Sequence, residues 1–314
     1  LYTARLGLAR SFASRGEFDR AIAEYRELVG KFPQIAAAPL IRLLIARNAQ
    51  VSSSQRDWSE VEKLLKDLKG AVSAQSTDAI LLQADLFMAQ DRMGDARKLL
   101  DDARKQFPKN AELWLKSADL MRRQRNYKEA QALLDQAAAI RDSIDLRLER
   151  ARVLIAQGGG DLSKNLTALA ENTSQFSRGD RRQLLSILAQ ELSQLDDVSA
   201  ANKLWLEVAS LNPQDLEPHE RMLELAFKGK DEAAVREQIE QIKKINGTDG
   251  ANARYQEVRF AVWRSQNSTN PEEQASLRKT ANSLVADLGI RHPDSPLTHL
   301  AAALLDEQEI TEPD

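Results

Sequence analysis

Along the chain, apolar positions recur at helical spacing in short blocks separated by polar stretches. In RGEFDRAIAEYRELVGKFP, residues 15 to 33, a glycine, an acid and an aromatic precede an Ala-x-x-x-Tyr pair, and a proline closes the block. The pair sits one turn apart on one helix face. The same order returns in GDARKLLDDARKQFP (94–108), NYKEAQALLDQAAAI (126–140) and VSAANKLWLEVASLNP (198–213). Aligning the small or aliphatic residue early in each block gives Ala21, Val61, Ala96, Ala130, Leu166, Ala201, Val235 and Leu277, at intervals of 34 to 42 residues. A period near 34 predicts a repeat array in place of one globular core.

Each period contains two amphipathic patterns. About a dozen positions upstream of each anchor stands a small residue, at Ala9, Ala46, Ala84, Ala118, Ala151 and Ala189, with Leu223 as the exception. Four places after each anchor come Tyr25, Leu65, Leu100, Leu134, Ala170, Trp205 and Ile239. Small residues let two helices approach and the larger ones fill the groove between them. Short polar turns (SRGEF, AQDRMG, RQRNY, SQLDD, KGKDE) join the two patterns as helical hairpins. Pro33, Pro108 and Pro213 are expected to end second helices, where a missing amide does least harm. The expected units are 1–34, 35–76, 77–110, 111–144, 145–181, 182–215, 216–249 and 250–294, in one domain over 1–314, with a closing helix over 295–309. An inserted VSSSQ at 51–55, GGG at 158–160 and QNSTNP at 266–271 interrupt the pattern.

The residues Leu8, Ala9, Phe12, Gly16, Phe18, Ala21, Tyr25 and Pro33 in the first unit, and Trp114, Ala118, Tyr127, Ala130, Leu134 and Ala137 in the fourth, resemble the tetratricopeptide repeat. The resemblance covers nearly the whole chain and implies an all-α, right-handed α-solenoid of about eight stacked hairpins plus the closing helix. Stability in such a stack is a sum over neighbours.

The resemblance also implies a concave surface lined by first helices. One exposed row there is Leu6, Leu43, Leu81, Leu115 and Leu148, continuing as Ser186 and Glu220. A second is Arg10, Arg47, Asp85, Asp119 and Arg152, continuing as Gln190 and Glu224, and a partial third adds Met88, Arg122, Ile155 and Phe227. The candidate binding residues are Leu43, Arg47, Leu81, Asp85, Met88, Leu115, Asp119, Arg122, Leu148 and Arg152. Two roles are open to the leucines: an apolar strip for a peptide, or packing between adjacent first helices. The chaperone-binding branch of the family clamps a terminal carboxylate with lysines and asparagines. The corresponding places here hold Leu6, Arg10, Leu82, Asp85, Glu112 and Lys116, which excludes that clamp.

Composition narrows the chemistry. Of 314 residues 29% are charged, with a net charge of -3, which argues against a nucleic-acid binder. Charge is uneven: residues 1–56 carry nine Arg and Lys against four acids, and 294–314 six acids with no Lys or Arg, a pattern open to head-to-tail self-association. The absence of cysteine excludes disulfides, thiolate metal sites and a cysteine nucleophile. The longest apolar stretch, IAAAPLI at 35–41, falls far short of the roughly 20 residues that cross a bilayer, so no membrane insertion is expected. His219, His292 and His299 are too scattered for a metal site. GGG lacks the strand and spacing of a phosphate loop. Trp114, Trp205 and Trp263 fall at core positions, and Trp58 at the aromatic that locks a hairpin turn. Asn165, Asn172, Asn246 and Asn267 lie in Asn-x-Ser/Thr triplets, which matter only on a glycosylating pathway.

The leading functional expectation is a non-catalytic scaffold, without cofactor or metal, that presents the concave face to a protein or peptide within a larger assembly. The alternatives are a structural part of a bacterial envelope or export machine, and a regulatory array joined to an enzyme outside these residues. The chain opens on Leu1 within a helical pattern, so a longer parent chain is expected.

Overall fold

Seventeen α-helices and one short 3-10 turn make up the regular structure among the described residues, with no strand. The computed structural model describes residues 2–71 and 76–310, and the side chains of all of these except 69–71 and 307–310. The chain divides into two compact units, Leu1–Gly159 and Gly160–Asp314.

The first unit contains α1 (Tyr2–Ser14), α2 (Phe18–Val29), α3 (Pro33–Gln50), α4 (Ser59–Ala71), α5 (Thr77–Ala89), α6 (Met93–Gln106), α7 (Ala111–Arg123), α8 (Tyr127–Ile140) and α9 (Ile144–Gln157). Each odd-numbered helix from α1 to α7 packs on its successor as a hairpin, and α3, α5, α7 and α9 also pack on one another in turn. These four first helices therefore lie side by side and form one face. Ala9, Ala84, Ala118 and Ala151 are buried where the helices meet, and Tyr25, Leu65, Leu100 and Leu134 are buried one turn beyond the second-helix anchors. Burial of each such leucine contributes about 1.5–3 kcal/mol. The buried side chains fall into two clusters along the stack, one around Ile22, Leu40, Leu65 and Leu82, the next around Leu100, Leu113 and Leu134. Neighbour contacts, with no single centre, hold the unit together.

Two positions differ from the sequence expectation. Ala46 is only partly buried, because α3 is long, carries Pro39 inside it, and packs through Ala36, Ala37, Leu40, Ile41 and Leu44 instead. Pro33 does not end α2; it is the first residue of α3, where its fixed φ and missing amide suit a helix start. Pro108 does follow the end of α6.

Three of the first unit's four hairpin turns share one backbone feature. Gly16, Asp91 and Arg125 each adopt a left-handed conformation, with φ of 75°, 60° and 60°. Asp91 and Arg125 stand 34 residues apart, so the repeat period is written into the backbone as well as the side chains. Asn110, Asn126 and Ser143 cap α7, α8 and α9 by accepting from Glu112 N, Glu129 N and Leu146 N.

Gly158 ends α9 at φ 70° and Gly159 follows at φ 119°, both left-handed, so the triple glycine closes the first unit. The second unit contains α10 (Leu162–Ala168), α11 (Arg178–Gln194), α12 (Val198–Leu211), α13 (Glu217–Lys228), α14 (Glu232–Asn246), α15 (Ala251–Asn267), α16 (Pro271–Arg291) and α17 (Pro296–Ile310). Helix α10 is only 7 residues long, yet Leu166 and Ala170 keep their buried places. Asp196 and Lys230 supply the left-handed turn residues, again 34 apart. In α16 the register departs from expectation: Leu277 is half-buried, and Ala281 and Leu288 are the fully buried residues. The helix is 21 residues long and begins early, at Pro271 behind the Asn270 cap, which shifts its buried stripe one turn onward. Helix α17 packs on α15 and α16 through Ala301.

Candidate functional site

The first-helix face of the first unit carries a groove of about 640 Å³. Helix α3 contributes Arg42; α5 contributes Leu81 and Asp85; α7 contributes Glu112, Leu115, Lys116, Asp119, Arg122 and Arg123; α9 contributes Asp145, Glu149 and Arg152. The structure thus brings six of the ten expected binding residues together: Leu81, Asp85, Leu115, Asp119, Arg122 and Arg152. The other four do not line it. Leu43 packs against the core, Arg47 pairs with Asp19 at 3.0 Å, and Met88 and Leu148 are buried.

The leucine row has little exposed surface in this groove. Leu81 is 6% exposed and only Leu115 is half-open. The surface is instead ionic, and its pairs tie successive first helices together. Lys116 Nζ of α7 donates to Asp85 Oδ1 of α5 at 2.6 Å, and Arg122 Nε of α7 donates to Glu149 Oε1 of α9 at 2.8 Å. Arg122 and Arg123 also donate to Asp119, and Arg152 Nη1 donates to Glu149 Oε2 at 3.0 Å. Asp119 and Glu149 are buried, so three guanidiniums converge on two carboxylates that have little access to water. Burial opposes the charge on Arg122, but the hydrogen bond and charge of Glu149, joined by Asp119, more than offset it and raise the guanidinium above its ordinary pKa.

Arg42, Glu112 and Asp145 point no side chain at a partner among the described residues, and remain available to an incoming molecule. The expected rows pass them by because each lies off the leucine register: Glu112 and Asp145 sit three residues before Leu115 and Leu148, within the first turns of α7 and α9. Their signal was an acid repeated at one helical turn before the row. Lys116 and Glu149 follow the same leucines by one residue and lie off the expected rows for the same reason. Among the described residues no group of His, Asp or Glu is placed to hold a metal ion.

In the second unit three residues of the continuing rows are held by neighbouring helices. Glu220 accepts from Asn252 Nδ2 at 2.5 Å, Glu224 pairs with Arg259 at 2.6 Å, and Phe227 packs against Trp263 at a centroid distance of 5.6 Å. Gln190 is exposed, and the buried Ser186 Oγ has no partner. Trp205 is buried as expected, while Trp114 and Trp263 are only partly so. Trp114 Nε1 donates to Pro108 O at 3.0 Å, with Arg104 stacked on its ring.

Two family profiles, both described as tetratricopeptide repeat, match residues 2–50 and 87–143. The second match spans α7 and its hairpin partner α8. This chain contains tetratricopeptide repeats. Tetratricopeptide repeats serve in general as non-catalytic scaffolds for protein partners, and no described helix here is long and apolar enough to cross a membrane. No curated protein matches the sequence.

Solved structures similar to this chain include one reported as a functional characterization of Pseudomonas aeruginosa pilF, at 16% identity, covering 75% of this chain and 97% of that one, with a TM-score of 0.41. A tetratricopeptide repeat protein from Parabacteroides merdae ATCC 43184 is 14% identical over 97% of this chain and 98% of that one, with a TM-score of 0.30. The APC/C hetero-tetramer Cut9-Hcn1 is 13% identical, covering 96% of this chain and 55% of that one, with a TM-score of 0.42. At such scores these likenesses carry no argument about what this chain binds.

Proposed function

We propose that this chain is a non-catalytic scaffold that holds a segment of a protein partner in the groove across α3, α5, α7 and α9. The observation that carries the reading is the unpaired set Arg42, Glu112 and Asp145 around one groove whose remaining charges are already paired. Charged side chains left open beside a concave surface give specificity and on-rate to a polar partner. A scaffold role needs no catalytic group, and the buried acids of this groove, Asp119 and Glu149, are occupied by guanidiniums.

The test is affinity capture from native extract with wild-type protein and the E112K/D145K variant. Both positions are exposed and unpaired, so the variant keeps its helicity, checked by circular dichroism. A protein held by wild type and lost by the variant supports the groove as the binding surface. Equal capture by both moves the contact elsewhere and overturns the proposal.

A further inference from the structure

The groove has rims of opposite sign. Glu112 and Asp145 are the second residues of α7 and α9, whereas Arg122 and Arg123 are the last two residues of α7 and Arg152 lies two turns beyond Asp145. Successive first helices are separated by one antiparallel return, so α7 and α9 run the same way and their acids share one rim. At about 1.5 Å rise per residue the backbone positions that carry the acids and the bases lie about 10–15 Å apart along each helix. Helix dipoles favour acids at the first turn and bases at the last, which accounts for the placement but not for the imbalance within it. On the basic rim three guanidiniums share two carboxylates, leaving one positive charge in excess. On the acidic rim both carboxylates are free. The groove therefore presents net positive charge along one edge and net negative charge along the other, while its whole lining is close to neutral.

A segment bearing one sign of charge meets repulsion at one of these rims. A segment carrying both signs, sorted to opposite sides, satisfies both. Extended chain does this with the simplest sequence, because successive side chains point to opposite sides. The floor also favours extended chain over helix. A docked amphipathic helix needs an apolar strip, and here the floor offers only half-buried Leu115 and nearly closed Leu81. An extended segment brings unpaired N–H and C=O groups, and the part-exposed Asp85–Lys116 pair on the floor offers an acceptor and a donor to them. Three helix-to-helix steps from α3 to α9, at about 8–10 Å each, match about eight extended residues.

Resting on the groove reading above, we propose that the occupant is an extended polypeptide segment of about eight residues in which basic and acidic side chains alternate, the basic ones toward Glu112 and Asp145 and the acidic ones toward Arg122, Arg123 and Arg152.

The probe is a capped, fluorescently labelled dodecapeptide of alternating lysine and glutamate. Its binding to the full chain is read by fluorescence anisotropy at low ionic strength, beside a block peptide with all lysines first and a same-composition peptide with the two signs on opposite faces of a helix. The expected result is that the alternating peptide binds about tenfold or more tightly than either control, weakens with added salt, and loses about tenfold in affinity against E112K/D145K. Equal binding of the block peptide, tighter binding of the helical one, or indifference to the double variant overturns the proposal. A partner captured through the groove that the alternating peptide fails to displace leaves the groove reading standing and removes this inference alone.

Discussion

Arg122 on α7 and Glu149 on α9 form an ion pair of 2.8 Å that joins two successive first helices, with the Glu149 side chain only 7% exposed. Arg152 completes the charge of Glu149 from the same helix at 3.0 Å. Breaking one side of a buried pair strands the other charge, whereas replacing both with apolar residues is often neutral. Arg122→Leu alone is expected to cost about 3 kcal/mol, and the R122L/E149L double variant clearly less. Urea unfolding of the two variants checks this; equal losses would show that Glu149 gains little from Arg122.

The period of the array was legible because small and large apolar residues recur where helices must touch. Ala118 and Ala130 are fully buried, as their repeat positions require. Changing either to Glu places a large charge where a methyl fits, and the expected loss is at least about 3 kcal/mol. Thermal and denaturant melts check it, and an effect near zero would contradict the register.

The groove was less legible. The row containing Leu81, Leu115 and Leu148 follows the repeat, but whether a residue in that row faces solvent depends on how closely its neighbours approach, which periodicity does not encode. Leu81 and Leu148 prove buried while Leu115 stays half-open. Leu148→Ser is therefore expected to destabilise by about 2–4 kcal/mol, and Leu115→Ser by about 1. The eighth unit shows a related failure: the long α16 carries its buried stripe one turn past Leu277, because an early Pro271 start adds a turn that no spacing rule anticipates.

Left-handed turn residues give a prediction of opposite sign. Arg125 and Lys230 adopt φ of 60° and 55°, a conformation disfavoured for residues with a Cβ and free for glycine. Arg125→Gly and Lys230→Gly are expected to stabilise by about 0.5–1 kcal/mol, and Gly16→Ala to destabilise by about 1. Differential scanning calorimetry reads all three.

Asp197 gives a pH dependence. It accepts from Ser163 Oγ on α10 and, at 3.0 Å, from Ala200 N at the start of α12, and these bonds hold its carboxyl below the usual range. A carboxyl with a lowered folded pKa stabilises the fold above its unfolded value of about 3.9, and that contribution disappears as pH falls through the folded one. Asp197→Ala is expected to cost about 1 kcal/mol at pH 7 through loss of the cap. The difference from wild type shrinks below about pH 4, as unfolding curves at pH 7 and 3 would report.

The most direct measurement of partner binding in the groove is site-specific photo-crosslinking in native extract. A photoreactive residue replaces Glu112 on the first-helix face in one protein, and exposed Ala132 on α8 in another. The account predicts a protein adduct from position 112 and none from 132. An adduct from 132 alone, or equal adducts from both, would contradict it.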